Sequence, residues 1–532
     1  MVAFNHTSTR QIEGATVNSN FADDRVQWKY PALSALLYYL AFLTPLLSPN
    51  FIFLLPVLHR FELAGETTVR ERLRVGLAFG FLGSLAALHW IYSMAQISWV
   101  AWLLYVAMSL YFGAMMALAL AIAGWIRERT RLSWGLILPA AWLPIEWVRT
   151  FGDLRMTADH VGHSLSSFPL VVQFIDITGL YGAGAFVLAV NGLLYDLVLA
   201  DPARPRKKIA IALGTLILAV GAYDAWAWRH YAGGSDTVRV GIAQPNISLP
   251  EKWDSATNGM QWETLRLQTL EAAEQGADLV VWPESARPYS LMHQLDIPTT
   301  YAMPEVQALA RYTQTPLLVG VEYYRITDSE SYDIYNAAMA VQADGTLSPV
   351  WTAKTYLVPF TEQTPFRSLF GRFLDGRSGA WRWVSGGFSP GPGATVLPFT
   401  DWNAGVVVCY EQLFPSLSRD LQNAGADFQV VITNDAWFGR SQFQRYQVDA
   451  LRMRSIENRT GYVRAANTGI SGFYDRRGGV DQLTGLFERR VIVGDVPLSR
   501  GTTIYNKVGD WPVWLAMVGL VLLAFRARWR AV

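Results

Sequence analysis

A succession of apolar stretches in the first half of the chain constrains its fold more than any other feature of the sequence. A helix needs about 20 apolar residues to cross the hydrocarbon core of a bilayer. Two of the stretches are short and contain proline, which is compatible with tilted or kinked helices. We therefore expect residues 30–229 to form a membrane domain of about seven helices. The stretches lie at 30–47, 51–58, 75–94, 99–126, 134–148, 177–199 and 209–228.

The composition supports a membrane protein. Of the 532 residues, 51% are hydrophobic and only 16% are charged, whereas soluble proteins carry roughly 25% charged residues. The 21 tryptophans suit aromatic belts at a membrane surface. A net charge of +1 indicates no nucleic-acid partner. The alternative, a soluble protein with buried apolar helices, leaves the distribution of charges between the stretches unexplained.

Basic residues occupy alternate loops of the predicted membrane domain. They cluster at 60–74, 127–131 and 204–208, whereas the loops 48–50 and 95–98 contain none. The positive-inside rule then predicts a cytoplasmic N-terminus, where residues 1–29 form a polar, disordered arm. Seven crossings bring the chain to the outer side. A last apolar run at 511–525 is followed by further arginines and predicts a C-terminal transmembrane helix at 511–527 that returns to the cytoplasm.

A region with a different pattern, residues 235–507, lies between these anchors. Short β-branched runs at 238–243, 279–282, 317–321, 405–409 and 430–433 predict buried strands. Helical patterns at 260–275 and 304–312 alternate with them, which favours a layered α/β fold. The topology predicts that this domain is extracytoplasmic.

Three short segments contain a set of residues that is sufficient for acyl transfer. Glu284 follows a predicted strand, Cys409 ends another, and Lys354 lies between them in the sequence. Cys409 is the only cysteine, so it forms no internal disulfide and any thiol chemistry must use it. A carboxylate can deprotonate the thiol, and a lysine can stabilise the developing oxyanion. Each residue alone also has a structural interpretation: a core cysteine, a helix cap and a solvated lysine.

The segments around these residues resemble a known family. WPES at 282–285, KTYLVPFTE at 354–362 and VCYE at 408–411 are similar to the Glu-Lys-Cys triad of the nitrilase superfamily. With predicted helices on both sides, the chain resembles the apolipoprotein N-acyltransferases of bacteria. Further matching segments are QPN at 244–246, KWD at 252–254, TNDAWFG at 433–439, LRMR at 451–454 and NTGI at 467–470.

The resemblance implies a fold, a reaction and roles. It implies an α-β-β-α sandwich domain attached to a multi-pass helical membrane domain. Glu284 would be the base, Lys354 the electrostatic stabiliser and Cys409 the nucleophile that takes an acyl chain from a phospholipid as a thioester. The acceptor would be the α-amino group of a diacylglyceryl-cysteine at a lipoprotein N-terminus. The residues that the resemblance places in supporting or substrate-binding roles are Trp253, Glu362, Tyr410, Glu411 and Trp437.

Localisation and cofactors complete these expectations. We expect a multi-pass protein of the bacterial cytoplasmic (inner) membrane, with its catalytic domain on the periplasmic side. One cysteine and seven scattered histidines show no zinc-ligand spacing, so we expect no metal and no other cofactor. A monomer is expected, although the sequence contains no signal for the oligomeric state.

Two alternatives and two departures from the family pattern remain. A membrane-tethered amidase would release the thioester with water, and a scaffold or transport protein would use no triad.

The family usually has glycine where this chain has Thr361, so the loop before Glu362 is expected to differ in shape. The loop 151–158 lacks an expected aromatic-proline motif. These departures leave the preferred acyl chain, headgroup and acceptor range open.

Overall fold

The computed structural model describes residues 28–65, 67–96, 99–200, 205–233, 236–294, 303–326, 332–366, 387–499 and 501–529. The predicted disordered arm at 1–29 lies almost entirely outside the described residues. A helical region is followed by a domain built on two β-sheets, and a last helix returns to the helical region. The predicted fold class, a multi-pass helical domain joined to a nitrilase-like sandwich, is confirmed.

Seven α-helices form the N-terminal region within the described part of the chain. One coincides with the predicted stretch at 134–148, and another is displaced from 51–58 because Pro56 occupies its first turn. A third begins before residue 75, where the Thr68 side chain caps it by accepting a hydrogen bond from Glu71 N (3.2 Å). The helices are α1 (Lys29–Leu43), α2 (Leu55–Ala64), α3 (Val69–Ala87), α4 (Val100–Thr130), α5 (Trp134–Val148), α6 (Ile175–Val198) and α7 (Arg206–His230).

Four of the described helices are long and apolar enough to cross a membrane. They are α4, α6, α7 and the C-terminal helix Trp511–Trp529. The chain is therefore a membrane protein with four candidate spans, and the number of eight crossings stays a prediction. The helices α1, α2 and α3 pack on one another; Tyr38 of α1, for example, is fully buried against Phe53 and Phe79.

Ion pairs gather the basic loops at one end of the helical region. Arg127, at the end of α4, contacts Asp196 (2.9 Å) and Glu62 (2.6 Å). Arg72, at the start of α3, pairs with Glu128 (2.5 Å). These contacts bring the start of α3 and the ends of α4 and α6, which adjoin the basic clusters, to the same end, as the alternation of charges in the sequence predicts.

The second domain contains two mixed sheets within the described residues. The strands of the first sheet are β1 (Thr237–Gln244), β2 (Leu279–Val281), β3 (Leu291–Gln294), β4 (Leu317–Ile326), β5 (Tyr332–Val341), β6 (Leu347–Ala353) and β13 (Arg490–Pro497). Those of the second are β7 (Val396–Pro398), β8 (Asn403–Val408), β9 (Phe428–Thr433), β10 (Tyr462–Ala466), β11 (Gly472–Tyr474) and β12 (Val480–Asp481). The first sheet has the order β13-β1-β2-β4-β5-β6, with β3 also paired to β4, and the second has the order β12-β11-β10-β9-β8-β7.

Three buried layers of side chains make this domain a four-layer sandwich. Apolar residues of β1, β2, β4, β8, β9 and β10 pack together between the sheets. The outer face of the first sheet packs on helices Asn258–Glu274 and Pro304–Thr313. The outer face of the second packs on Pro415–Asn423 and Phe443–Asn458. Because the central strands are covered on both faces, they consist of near-continuous apolar runs, which made them visible in the sequence.

The segment 149–168 joins the helical region to the sandwich. Thr157 Oγ1 donates to Leu413 O (2.8 Å), and Ser167 Oγ donates to Asp449 Oδ2 (2.8 Å). Arg459 of the sandwich domain pairs with Asp176 at the start of α6 (2.8 Å). The sandwich is therefore attached at the end of the helical region opposite the ion pairs of Arg72 and Arg127.

Candidate active site

The three residues of the predicted triad line one cavity. Glu284 follows β2, Lys354 follows β6 and Cys409 follows β8, so each lies beyond the carboxyl end of a strand. All three are at least nine-tenths buried and line a cavity of about 280 Å³. The topology thus brings together residues that are up to 125 positions apart in the sequence.

Glu284 is fixed by a hydrogen bond to each of its carboxylate oxygens. Asn336 Nδ2 donates to Oε1 (2.6 Å), and the backbone N–H of Asn434 donates to Oε2 (2.6 Å). Burial raises the pKa of Glu284, the charge of Glu362 raises it further, and the ammonium of Lys354 opposes both. A carboxylate with a raised pKa is a stronger proton acceptor, which suits a general base.

Lys354 is held as a cation. Its Nζ donates to Glu362 Oε1 (2.7 Å), and Glu362 Oε2 accepts from the backbone N–H of Val358 (2.9 Å). Burial opposes the charge of Lys354, but the carboxylates of Glu362 and Glu284 raise its pKa. Lys354 therefore keeps its positive charge beside the thiol, where an oxyanion would develop.

Cys409 directly follows β8 and is the first residue of a 3₁₀-helix, Cys409–Leu413. Its φ is 56°, a left-handed conformation that non-glycine residues adopt rarely and that is common at functional sites. Burial raises the pKa of the thiol, and the charge of Glu284 raises it further, although Lys354 lowers it. The resting thiol is consequently protonated, and its activation requires proton transfer to a base.

Glu411 connects the two loops that carry Lys354 and Cys409. Its Oε1 accepts from the backbone N–H groups of Thr355 (2.7 Å) and Tyr356 (2.9 Å), and its Oε2 accepts from Val408 N (2.9 Å). Burial raises its pKa to about 7. Glu411 is not among the described residues that line the cavity, and its hydrogen bonds join the two loops that do.

The other predicted site residues surround the cavity. Trp253, Glu362, Tyr410 and Trp437 all line it. The hydroxyl of Tyr410 donates to the carbonyl of Arg155, and the Arg155 guanidinium lies 4.8 Å from the centre of the Tyr356 ring. The loop 151–158 is therefore part of the wall around the site.

The loop before Glu362 contains one left-handed residue. This residue is Phe360, with φ 66°, and Thr361 is not among the residues with positive φ. The position that is usually glycine in the family therefore needs no left-handed backbone in this chain, and the predicted difference in loop shape stays a prediction. The Thr361 side chain also lines the cavity.

The cavity is polar at one end and apolar at the other. The apolar end is formed by the helical region, where Ile91 follows α3, Leu104 and Met108 belong to α4, and Trp90 stacks on Phe443 (ring centroids 3.8 Å apart). An acyl chain can occupy this end while its carbonyl carbon lies near Cys409.

Sequence reasoning missed several residues of the site. Asn336 and Asn434 hold Glu284, and Lys252 and Glu322 line the cavity beyond it. Asn434 and Lys252 belong to segments that carry the family resemblance, which was the available signal. Asn336 and Glu322 lie within strands β5 and β4, and no sequence pattern distinguishes them.

Comparison with known proteins reveals two family matches. Residues 239–505 match the family described as carbon-nitrogen hydrolase, and residues 34–193 match the apolipoprotein N-acyltransferase N-terminal domain. An apolipoprotein N-acyltransferase of Geobacter metallireducens is 30% identical over 93% of this chain and 95% of its own length. One of Methylococcus capsulatus is 30% identical over 79% of this chain and 80% of its own.

Solved structures are similar to part of this chain. A mutant of an amidase of the nitrilase superfamily from Nesterenkonia covers 53% of this chain and 94% of its own, with 16% identity and a TM-score of 0.36.

Proposed function

The chain belongs to the apolipoprotein N-acyltransferase family, and from that premise we propose that Cys409 carries the acyl chain between two half-reactions. The family acts on phospholipid and lipoprotein substrates. The single observation that carries the proposal is one cavity lined by Glu284, Lys354 and Cys409 at its polar end and by membrane-domain side chains at its apolar end.

In the first half-reaction, the Cys409 sulfur attacks an ester carbonyl of a phospholipid. Glu284 takes the thiol proton as the carbon–sulfur bond forms, and Lys354 stabilises the oxyanion. The ester bond then breaks, and Glu284 gives the proton to the departing alkoxide. The products are a thioester on Cys409 and a lysophospholipid, and no net proton is released.

In the second half-reaction, the α-amino group of a diacylglyceryl-cysteine attacks the thioester. The amine must be neutral to attack, and it loses a proton to Glu284 as the amide forms. The carbon–sulfur bond breaks, and the proton returns to the Cys409 sulfur. An acceptor that arrives as an ammonium releases one net proton for each amide formed.

The arrangement of the helical region supports an outward-facing catalytic domain. The basic loops form ion pairs at one end, through Arg72 and Arg127, and the sandwich domain is attached at the other. Under the positive-inside rule the basic end faces the cytoplasm. The sandwich then faces the periplasm, with the cavity at headgroup level. We further propose that the protein acts as a monomer in the inner membrane.

Mass spectrometry of the purified protein in phospholipid vesicles tests the proposed function. Incubation is expected to add one acyl mass on Cys409, and a diacylglyceryl-cysteine peptide is expected to remove it as an N-acyl peptide. Cys409→Ala should abolish both. Transfer by Cys409→Ala would refute the proposal, and a thioester released only by water would favour the amidase alternative.

A further inference from the structure

A second, polar cavity of about 190 Å³ adjoins the catalytic cavity. Both are lined by Lys252, Trp253, Ser285 and Glu322, so the two spaces meet beside Glu284. The proposed chemistry places the acyl chain in the apolar end of the catalytic cavity. The polar cavity therefore lies where the headgroup of the donor or the N-terminus of the acceptor must be accommodated.

Glu322 lies beside the residue that holds the general base. In the antiparallel pair β4–β5, Glu322 is directly opposite Asn336, and directly opposed residues project from the same face of a sheet. Asn336 Nδ2 donates to Glu284 Oε1. Glu322 is thus the cross-strand neighbour of the residue that donates a hydrogen bond to Glu284.

Two hydrogen-bond acceptors are available at this junction. Asn336 is 3% exposed, and its Oδ1 accepts no hydrogen bond from the part of the chain that the structure describes. An ionised carboxylate accepts hydrogen bonds but cannot donate them, so the Asn336 amide directs its Nδ2 toward Glu284 and its Oδ1 away from it. Among the described residues, Glu322 accepts from Ser290 Oγ at a long 3.4 Å. A buried acceptor that lacks a donor costs free energy, so a ligand that supplies N–H groups would be stabilised there.

Lys252 provides a positive charge near the carboxylates of Glu284 and Glu322. It is 8% exposed, and its ammonium donates to the carbonyl of Ser285. Ser285 follows Glu284 directly and has a φ of 44°. Burial lowers the pKa of Lys252 to about 8, while the charges of Glu284 and Glu322 oppose that change. Arg287, the other cation of the polar cavity, is paired with Glu305 (2.7 Å).

We propose that Glu322, with Asn336 Oδ1, forms a binding site for a primary ammonium group beside the Cys409 thioester. A primary ammonium has three N–H donors and a positive charge, which match one carboxylate and one amide oxygen. This inference rests on the proposed function, because that function supplies the substrates. The ammonium could belong to the α-amino terminus of the acceptor or to the headgroup of an ethanolamine phospholipid.

The two half-reactions distinguish these sources. The protein is first loaded in vesicles of phosphatidylglycerol, which has no ammonium, and the adduct on Cys409 is measured. The loaded protein is then mixed with increasing concentrations of a diacylglyceryl-cysteine peptide. In a parallel arm, loading from phosphatidylethanolamine is compared with loading from phosphatidylglycerol.

For Glu322→Gln we expect unchanged loading from phosphatidylglycerol and a half-saturating peptide concentration about 10- to 100-fold higher, as for loss of a charged hydrogen-bond partner. If the site binds the donor headgroup instead, the variant loses any preference for phosphatidylethanolamine and the peptide dependence stays unchanged. Glu263→Gln, a surface change on helix Asn258–Glu274, is the matched control.

Unchanged values in both arms for Glu322→Gln would overturn the ammonium site while leaving the proposed function intact. Failure of the wild-type protein to form an adduct on Cys409 would instead refute the proposed function. If Glu322→Gln loads from neither lipid, Glu322→Asp decides the question. That variant keeps the charge but moves it by one methylene, so a wild-type peptide dependence would overturn the site and a raised one would support it.

Discussion

The two ends of the catalytic cavity are built in different ways. At the polar end, Glu284 has two short hydrogen bonds, and Lys354 is paired with a carboxylate that is itself bonded to the backbone. At the apolar end, Leu104 and Met108 contribute only packing surface from helix α4. Hydrogen bonds are directional, whereas apolar packing is tolerant of shape. The reacting atoms are therefore fixed, while the space for the acyl chain is adaptable.

Replacement of the base at the polar end is expected to have the largest effect. Glu284→Gln removes the proton acceptor and should slow acylation of Cys409 about 10²- to 10⁴-fold, the usual contribution of general base catalysis. The rate of adduct formation measures this directly. The surface variant Glu263→Gln should retain the wild-type rate. An unchanged rate in Glu284→Gln would assign the base to another residue.

Filling the apolar end should affect long acyl chains selectively. Leu104→Trp places a larger side chain in the cavity and should slow acylation from long-chain phospholipids about tenfold or more, as overpacking typically costs about 1–3 kcal/mol. Short-chain donors should react at nearly the wild-type rate. Leu103→Trp on the same helix, where Leu103 is 54% exposed, is the control. Equal slowing for all chain lengths would contradict the role of this end.

Removal of the charge beside Lys354 should change the pH dependence. The carboxylate of Glu362 raises the pKa of Glu284, so Glu362→Gln lowers that pKa. Glu284 is active as a base only when ionised, and its pKa lies above the usual value. As the pH is lowered, the acylation rate of the wild type should accordingly fall at a pH above the ordinary pKa of glutamate. In Glu362→Gln this fall should occur at a lower pH. A shift to higher pH would show that another group governs this fall.

The smallest effect is expected at the rim of the polar end. Trp253 is 57% exposed and lines both cavities. Trp253→Ala should raise the half-saturating concentration of the peptide acceptor only a few-fold, because an exposed aromatic side chain loses little contact area on truncation. Trp226→Ala, at an exposed position of helix α7, is the control. A loss of thioester formation in Trp253→Ala would assign this residue to the first half-reaction instead.

Local patterns were sufficient to predict most of the helices and strands. Strand β8 and helix α4 were visible because a covered strand is a run of β-branched residues and a helix long enough to cross a membrane is a long apolar run. Helix α2 was displaced because its start depends on Pro56, which a search for apolar residues alone does not weigh. Helix α3 extends through Arg70 and Arg72, and the charge of Arg72 is balanced by Glu128 of helix α4.

The candidate site was predicted only in part. Glu284, Lys354 and Cys409 follow strands and lie in segments with family resemblance, and the structure brings them to one cavity. Asn336 and Glu322 could not be found in this way, because their proximity to Glu284 depends on the pairing of β4 with β5. The left-handed backbone of Cys409 was likewise invisible, since cysteine has no sequence signal for that conformation.

Glu411 has a consequence for how sequences of this kind can diverge. Its carboxylate binds backbone N–H groups on both sides of the long segment between Tyr356 and Val408. The relative position of the loops that carry Lys354 and Cys409 is thus set by one side chain and not by the length of the intervening chain. Sequences of this kind can therefore differ in length between those loops and still keep the reacting groups in register.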